Sequence, residues 1–286
     1  MTPQTTLFQR VFIVTLSVLT MTTLYLLSSR AAAQEIAITF DDGFDPRIEP
    51  RAARWNSHML DTLAKHNIRS MIFPAGIFVD SSEGLALIRS WGEAGHAIGD
   101  HTYTHQGFIE GQTAEEFMQD VLHGKAVVSS MPGWCPRLRL PYLNEGKTPE
   151  QRNQLYSALS HQGYGVAPVT ISIDDWNDNQ RFLAAANQNP GLDLTPYRKP
   201  YLDKLWQEIQ KQQAHWQQQL GRNPPQVLLL HTNGLNAIML PDILAMLKAR
   251  GWTFVDPAAA FSDPIYQRSF TTADGLQHPL PIPTCR

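Results

Sequence analysis

Much of the familiar chemistry-bearing vocabulary is missing from these 286 residues. There is no G-x-S-x-G, which argues against an α/β-hydrolase nucleophile, and no H-E-x-x-H, which argues against a zincin. There is also no G-x-G-x-x-G and no G-x-x-x-x-G-K-[ST], so neither a dinucleotide-binding turn nor a phosphate-cradling loop is present. Two cysteines are too few for a disulfide-rich scaffold or a four-cysteine zinc site. Charge is scarce and nearly balanced, 23 Lys and Arg against 26 Asp and Glu for a net charge of -3, which excludes a nucleic-acid partner held by net positive charge. What is present is apolar material, 43% of the chain, enough for a core and too much for a disordered chain. The 18 Gly and 20 Pro call for many turns and argue against a simple helix bundle.

Residues 1–33 read as a targeting segment. Arg10 precedes an apolar run at 11–27 that is diluted by Thr and Ser, and the stretch closes on Ala31-Ala32-Ala33. Ala31 and Ala33 fit the small-x-small pattern of signal-peptide cleavage, with Gln34 as the first mature residue. The alternative is an uncleaved anchor, but the run is near the lower limit for crossing a bilayer. The expectation is export to the periplasm or medium, with no stable membrane span once the signal is removed. Disulfides are permitted there.

From Glu35 onward, strand and helix signals alternate. Ile36, Ile38 and Phe40 recur every second residue; 70–76, 96–100, 138–142, 164–173, 227–231 and 252–255 read as further strands. Helices are expected between them. Thr113 and Glu116 form a capping box, Thr148-Pro149 with Gln151 forms a second cap, and Pro241 opens a helix that Gly251 ends. A long helix is expected from about Pro200 to Leu220. Alternation predicts an α/β fold, a single deformed (β/α) barrel of about seven parallel strands with its site at the strand C-terminal ends. Residues 34–286 fill that barrel, with an insertion around 177–225, its first part (177–200) irregular. A tail after Pro257 wraps the surface.

The chemistry clusters where those strands end: Asp41-Asp42-Gly43, His101 and His105, Arg139 to Tyr142, Asp175-Trp176, and His231. Clusters far apart in sequence thus converge on one mouth. In order they read T-F-D-D-G at 39–43, H-T-x-x-H at 101–105, R-x-P-Y at 139–142, an acid-Trp pair at 175–176 and L-x-H at 229–231. This series resembles the polysaccharide deacetylases of carbohydrate esterase family 4, and the resemblance runs from about 36 to 256.

His101 and His105 are four apart, a spacing that on a helical turn lets both imidazoles hold one metal. With a carboxylate they make a set that leaves coordination positions open. Adjacent acids repel, and a cation relieves that. The resemblance implies that Asp42 ligates with the two histidines while Asp41 is the base. It also implies that Arg139 keeps Asp41 ionised, that the Tyr142 N–H receives an oxyanion, and that Pro141, Trp176 and Leu229 wall an acetyl pocket. His231 is the natural acid for a leaving amine. The spacing of the fourth motif departs from the family pattern, so either Asp174 or Asp175 is its partner, with Asp175 preferred. The other seven histidines have no supporting cluster.

The implied activity is metal-dependent removal of acetyl groups from an N- or O-acetylated glycan. One divalent ion is expected, zinc by default, with cobalt or nickel able to substitute. Two rivals remain: an amidohydrolase of small non-sugar amides, and an inactive glycan-binding protein. Cys135, just upstream of Arg139, and Cys285, the penultimate residue, are expected to pair and pin the tail.

Overall fold

In the computed structural model, residues 34–109, 111–189 and 191–285 are described. The expected signal at 1–33 lies outside them. Strand β1 is Gln34–Asp42, followed by β2 Met71–Pro74, β3 Ala97–Asp100, β4 Trp134–Leu138, β5 Gly165–Val166, β6 Ile171–Ser172, β7 Gln226–His231 and β8 Trp252–Phe254. All pair in parallel in the order β5-β4-β3-β2-β1-β7-β6, a path curled into a half-barrel. β8 pairs the first residues of β1, Gln34 to Ile36. The main helices are α1 Ala52–Lys65, α2 Ser82–Glu93, α3 Ala114–Val128, α4 Pro149–His161, α5 Asp175–Gln188, α6 Thr195–Leu220 and α7 Gly234–Ala249.

Strand β1 is buried on both faces, so alternation here separates two cores rather than core from solvent. Ile36, Ile38 and Phe40 pack under the helices with Met59, Trp91 and Leu244. Ala37 faces the barrel interior with Met71, Phe73, Val227 and Phe261. The Thr113–Glu116 capping box and the Thr148 cap both form, because each needs only residues three apart.

Several expectations are corrected. The single strand at 164–173 is two, β5 and β6, on opposite ends of the path. Pro168, which has no N–H to give a ladder, lies between them. The strand expected at 138–142 ends at Leu138. Residues 175–188 are helical rather than irregular, with Phe182 buried and acids Asp175 and Asp178 in the first turn, where the helix dipole favours them. α6 starts five residues before Pro200. Pro241 lies inside α7, whose start is set by Asn233 accepting from the Asn236 N–H. In the tail, β9 Ser269–Thr271 and β10 Gln277–Pro279 form an antiparallel hairpin. Cys135 and Cys285 are joined by a disulfide. No helix among the described residues is long and apolar enough to cross a membrane.

Candidate active site

β1 delivers two acids to the open end of the barrel. Asp42 (φ 82°) and Gly43 (φ 87°) are both left-handed, so the strand turns away at once. A Cβ on Gly43 meets Val79 Cγ1 at 2.4 Å, so the second left-handed position requires glycine. β1 and β7 are in register at Asp41 and His231, which brings the two to the same level of the mouth.

His101 and His105 do not sit on a helical turn. Thr102 (φ 63°) and His105 (φ 58°) are left-handed, and a loop folds the two rings to 4.8 Å apart. Short polar side chains hold that loop. Asp100 Oδ1 accepts from Thr102 N–H at 3.0 Å, Thr102 Oγ1 accepts from His105 N–H at 3.1 Å, and Asp120 accepts from the Thr104 N–H and hydroxyl. Donor atoms of Asp42, His101 and His105 all lie within 4.8 Å of one another. Asp42 Oδ1 is 3.4 Å from His105 Nε2 and 3.8 Å from His101 Nε2. The His101 Nδ1–H donates to the Arg139 carbonyl at 2.6 Å, which frees Nε2 as a lone-pair donor toward Asp42. Burial pushes both imidazoles toward the neutral form that ligates. Among the described residues, Asp42 Oδ1 is shielded from solvent without a hydrogen-bond partner. A buried acceptor left bare beside two neutral imidazoles fits a cation.

Asp41 is sealed inside, 2% exposed, with Oδ1 3.4 Å from Arg139 Nη1. Burial raises its pKa, Arg139 and His231 oppose, Asp42 adds to the rise, and the carboxyl is held at about 6. Arg139 is fully buried; it donates to Thr39 Oγ1 at 3.1 Å and lies over the Phe73 ring.

His231 Nδ1 is 2.6 Å from Asp175 Oδ1, while the Asp174 side chain accepts from Asn177. Of the two candidates, Asp175 is the one against His231. Burial lowers the His231 pKa, but the hydrogen bond and charge of Asp175, then Asp42 and Asp41, outweigh it and push it up to about 10. The imidazolium is therefore the stable form beside these acids.

These groups open onto a cavity of about 200 Å³ lined by Asp41, His101, His105, His231, Trp176 and Leu229, with Leu140, Tyr142, Leu143, Ser172 and Ile173. Pro141 is not part of the wall; it opens the turn Pro141–Leu143 while Leu140 and Leu143 supply the apolar surface. Tyr142 is therefore in a tight turn, not a strand end, with φ 56°, and the residue is 75% exposed. A larger groove, about 950 Å³, runs past Arg54, Trp55, His58 and Phe182 and holds none of these groups. Thr39, Asp100, Asp120 and Thr232, whose hydroxyl donates to the Asp41 carbonyl at 2.9 Å, were not legible as site residues. Only Thr39 carried a signal, being two residues before Asp41 on the same strand face.

The family model described as polysaccharide deacetylase matches residues 28–164. The chain is 24% identical over 221 residues to a peptidoglycan-N-acetylglucosamine deacetylase of Bacillus cereus, covering 76% of this chain and 70% of that protein. It is 31% identical over 144 residues to the peptidoglycan-N-acetylglucosamine deacetylase PgdA of Listeria monocytogenes, covering 50% of this chain but 27% of the relative. In fold it is similar to a family 4 acetyl xylan esterase of Clostridium thermocellum, with TM-score 0.53, 20% identity, and 80% and 91% of the two chains covered. Motif order, half-barrel and relatives agree in their likeness to the polysaccharide deacetylase family.

Proposed function

We propose that this chain is an exported, metal-dependent deacetylase that hydrolyses N-acetyl groups on a glycan. The observation that carries the reading is the meeting of a buried carboxylate, an Asp/His/His donor set and an Asp-paired histidine on one small, partly apolar cavity. The cavity takes an acyl group, while a sugar ring rests outside against the exposed Tyr142 and Trp176. Relatives named for peptidoglycan N-acetylglucosamine support a glucosamine-type substrate.

Asp42, His101 and His105 would hold the ion, zinc by donor type, with cobalt or nickel as substitutes. A divalent ion there supplies Lewis-acid polarisation of the amide carbonyl and acidifies a water. Asp41 takes the proton of the attacking water, and Arg139 keeps Asp41 ionised for it. The Tyr142 N–H donates to the developing oxyanion. His231 passes its proton to the departing nitrogen and acetate leaves, with Asp175 fixing which ring nitrogen faces the substrate. The 1–33 segment acts as the export signal and leaves a barrel beginning at Gln34.

The test pairs metal analysis of purified protein with acetate release from acetylated chito-oligosaccharide, peptidoglycan fragments and acetylxylan. One ion per chain and metal-dependent release from the first two is expected. Glycan binding with no release from any would sink the reading in favour of an inactive binder. A protein beginning at Gln34 in the exported fraction supports the signal; one retaining residues 1–33 refutes it.

A further inference from the structure

The acid side of the site is braced by two residues outside all five motifs. With Asp175 Oδ1 engaged by His231 Nδ1, the second oxygen, Oδ2, needs partners of its own, since Asp175 is fully buried. It accepts from the His231 main-chain N–H at 2.9 Å and from the Asn236 side-chain amide. The same Asn236 amide donates to the His231 carbonyl at 2.9 Å. Asn236 Oδ1 in turn accepts from the Tyr201 hydroxyl.

Each link removes one freedom. A carboxylate held through a single oxygen swings about its last torsion; two further donors on Oδ2 fix its plane, and with it the line from Oδ1 to the imidazole. An asparagine amide presents oxygen or nitrogen by flipping, and a neighbour that only donates selects the orientation with oxygen toward it. Tyr201 is that donor, because burial holds its phenol protonated. Asn236 is fully buried, Tyr201 nearly so, and neither lines the cavity. Asn236 is set in the first turn of α7 by the Asn233 cap, and Tyr201 projects from α6, within the insertion.

We propose that Asn236 and Tyr201 are positioning residues for proton delivery, locking the Asp175 carboxylate and through it the His231 imidazole toward the leaving group. The insertion helix α6 thereby serves the acid and not only the shape of the mouth. This rests on His231 being the acid of a deacetylase.

The experiment compares leaving groups in Asn236→Ala and Tyr201→Phe. An acetylated chito-oligosaccharide expels an amine that must be protonated, whereas 4-nitrophenyl acetate expels a phenolate that needs no proton. On the amide, kcat is expected to fall about 10- to 100-fold in Asn236→Ala, the usual effect of removing the partner that orients a functional histidine or its ligand. It should fall about fivefold in Tyr201→Phe, the worth of one hydrogen bond. KM and aryl-acetate hydrolysis stay within about twofold of the parent, because only proton transfer to the leaving group is affected. A general loss of folded protein lowers both substrates alike, and equal loss overturns the proposal, as does unchanged amide turnover in Tyr201→Phe. Should Asn236→Ala fail to fold, the Tyr201→Phe comparison decides alone. The downfield NMR signal of the His231 Nδ1 proton, read without substrate, is expected to shift in both variants. A parent-like signal in both overturns the positioning role, while shifted signals in a protein that releases no acetate refute the deacetylase reading and leave the bracing intact.

Discussion

Asp41→Asn separates two jobs that adjacent acids share. The amide has nearly the same shape as the carboxyl but neither its charge nor its capacity to take a proton from water. If Asp41 is the base, turnover falls by about two to four powers of ten, or about 3–5 kcal/mol of barrier. The same change strands a guanidinium. Arg139 is fully buried with Asp41 as its carboxylate partner at 3.4 Å, and removing one member of such a pair costs about 3–5 kcal/mol. The contacts Arg139 keeps with Thr39 and Phe73 hold the loss at the lower end, about 3 kcal/mol. Metal content should stay near one ion per chain, since Asp42, His101 and His105 are untouched. The assay is acetate release from a tri-N-acetylated chitotriose, with metal content and melting temperature measured on the same sample. Turnover within tenfold of the parent would refute the base assignment. Loss of metal as complete as in Asp42→Ala would show that the two acids had been given each other's roles.

Asp42→Ala, His101→Ala and His105→Ala should each lose the ion, and chelation should abolish acetate release until zinc is restored; a chelated protein with full activity contradicts this. His96 is buried and accepts from the Ser70 N–H, and burial, with Arg69 adding to it, depresses its pKa from 6.5 to about 4. The folded state therefore favours neutral His96: its stability is complete above about pH 6.5 and is lost as pH falls toward 4, to a limit of about 3 kcal/mol. Melting temperature should drop less steeply between pH 7 and 4.5 in His96→Gln, and parallel curves would remove His96 from the account. Cys285→Ser opens a disulfide spanning 150 residues, worth up to about 5 kcal/mol of loop-closure entropy, and an unchanged melting temperature in oxidising buffer would show that the bond contributes nothing.

Features that depend on near neighbours were readable in advance. The Thr113–Glu116 box and the Thr148 cap are three-residue devices, and the alternation of Ile36, Ile38 and Phe40 is a two-residue period, so each appears where the letters put it. Misreadings came where a local pattern competed with packing. His101 and His105 have helical spacing, but Asp100 and Asp120 hold them on a loop with two left-handed residues. Residues 177–200 look polar and irregular, yet their first part continues the helix that begins at Asp175, with Phe182 buried on it. Pro241 looks like a helix start, but Asn233 had already begun the helix a full two turns earlier.

By itself the sequence determined the identity of the reactive groups and their order along parallel strands. Whether Asp174 or Asp175 meets His231, and that Tyr201 and Asn236 stand behind the acid, were decided only by the tertiary structure. The reason is distance along the chain: these pairs are 35 to 61 residues apart, so they meet only when separate strands and helices pack, and no local pattern says which of two adjacent acids at a helix start turns toward His231.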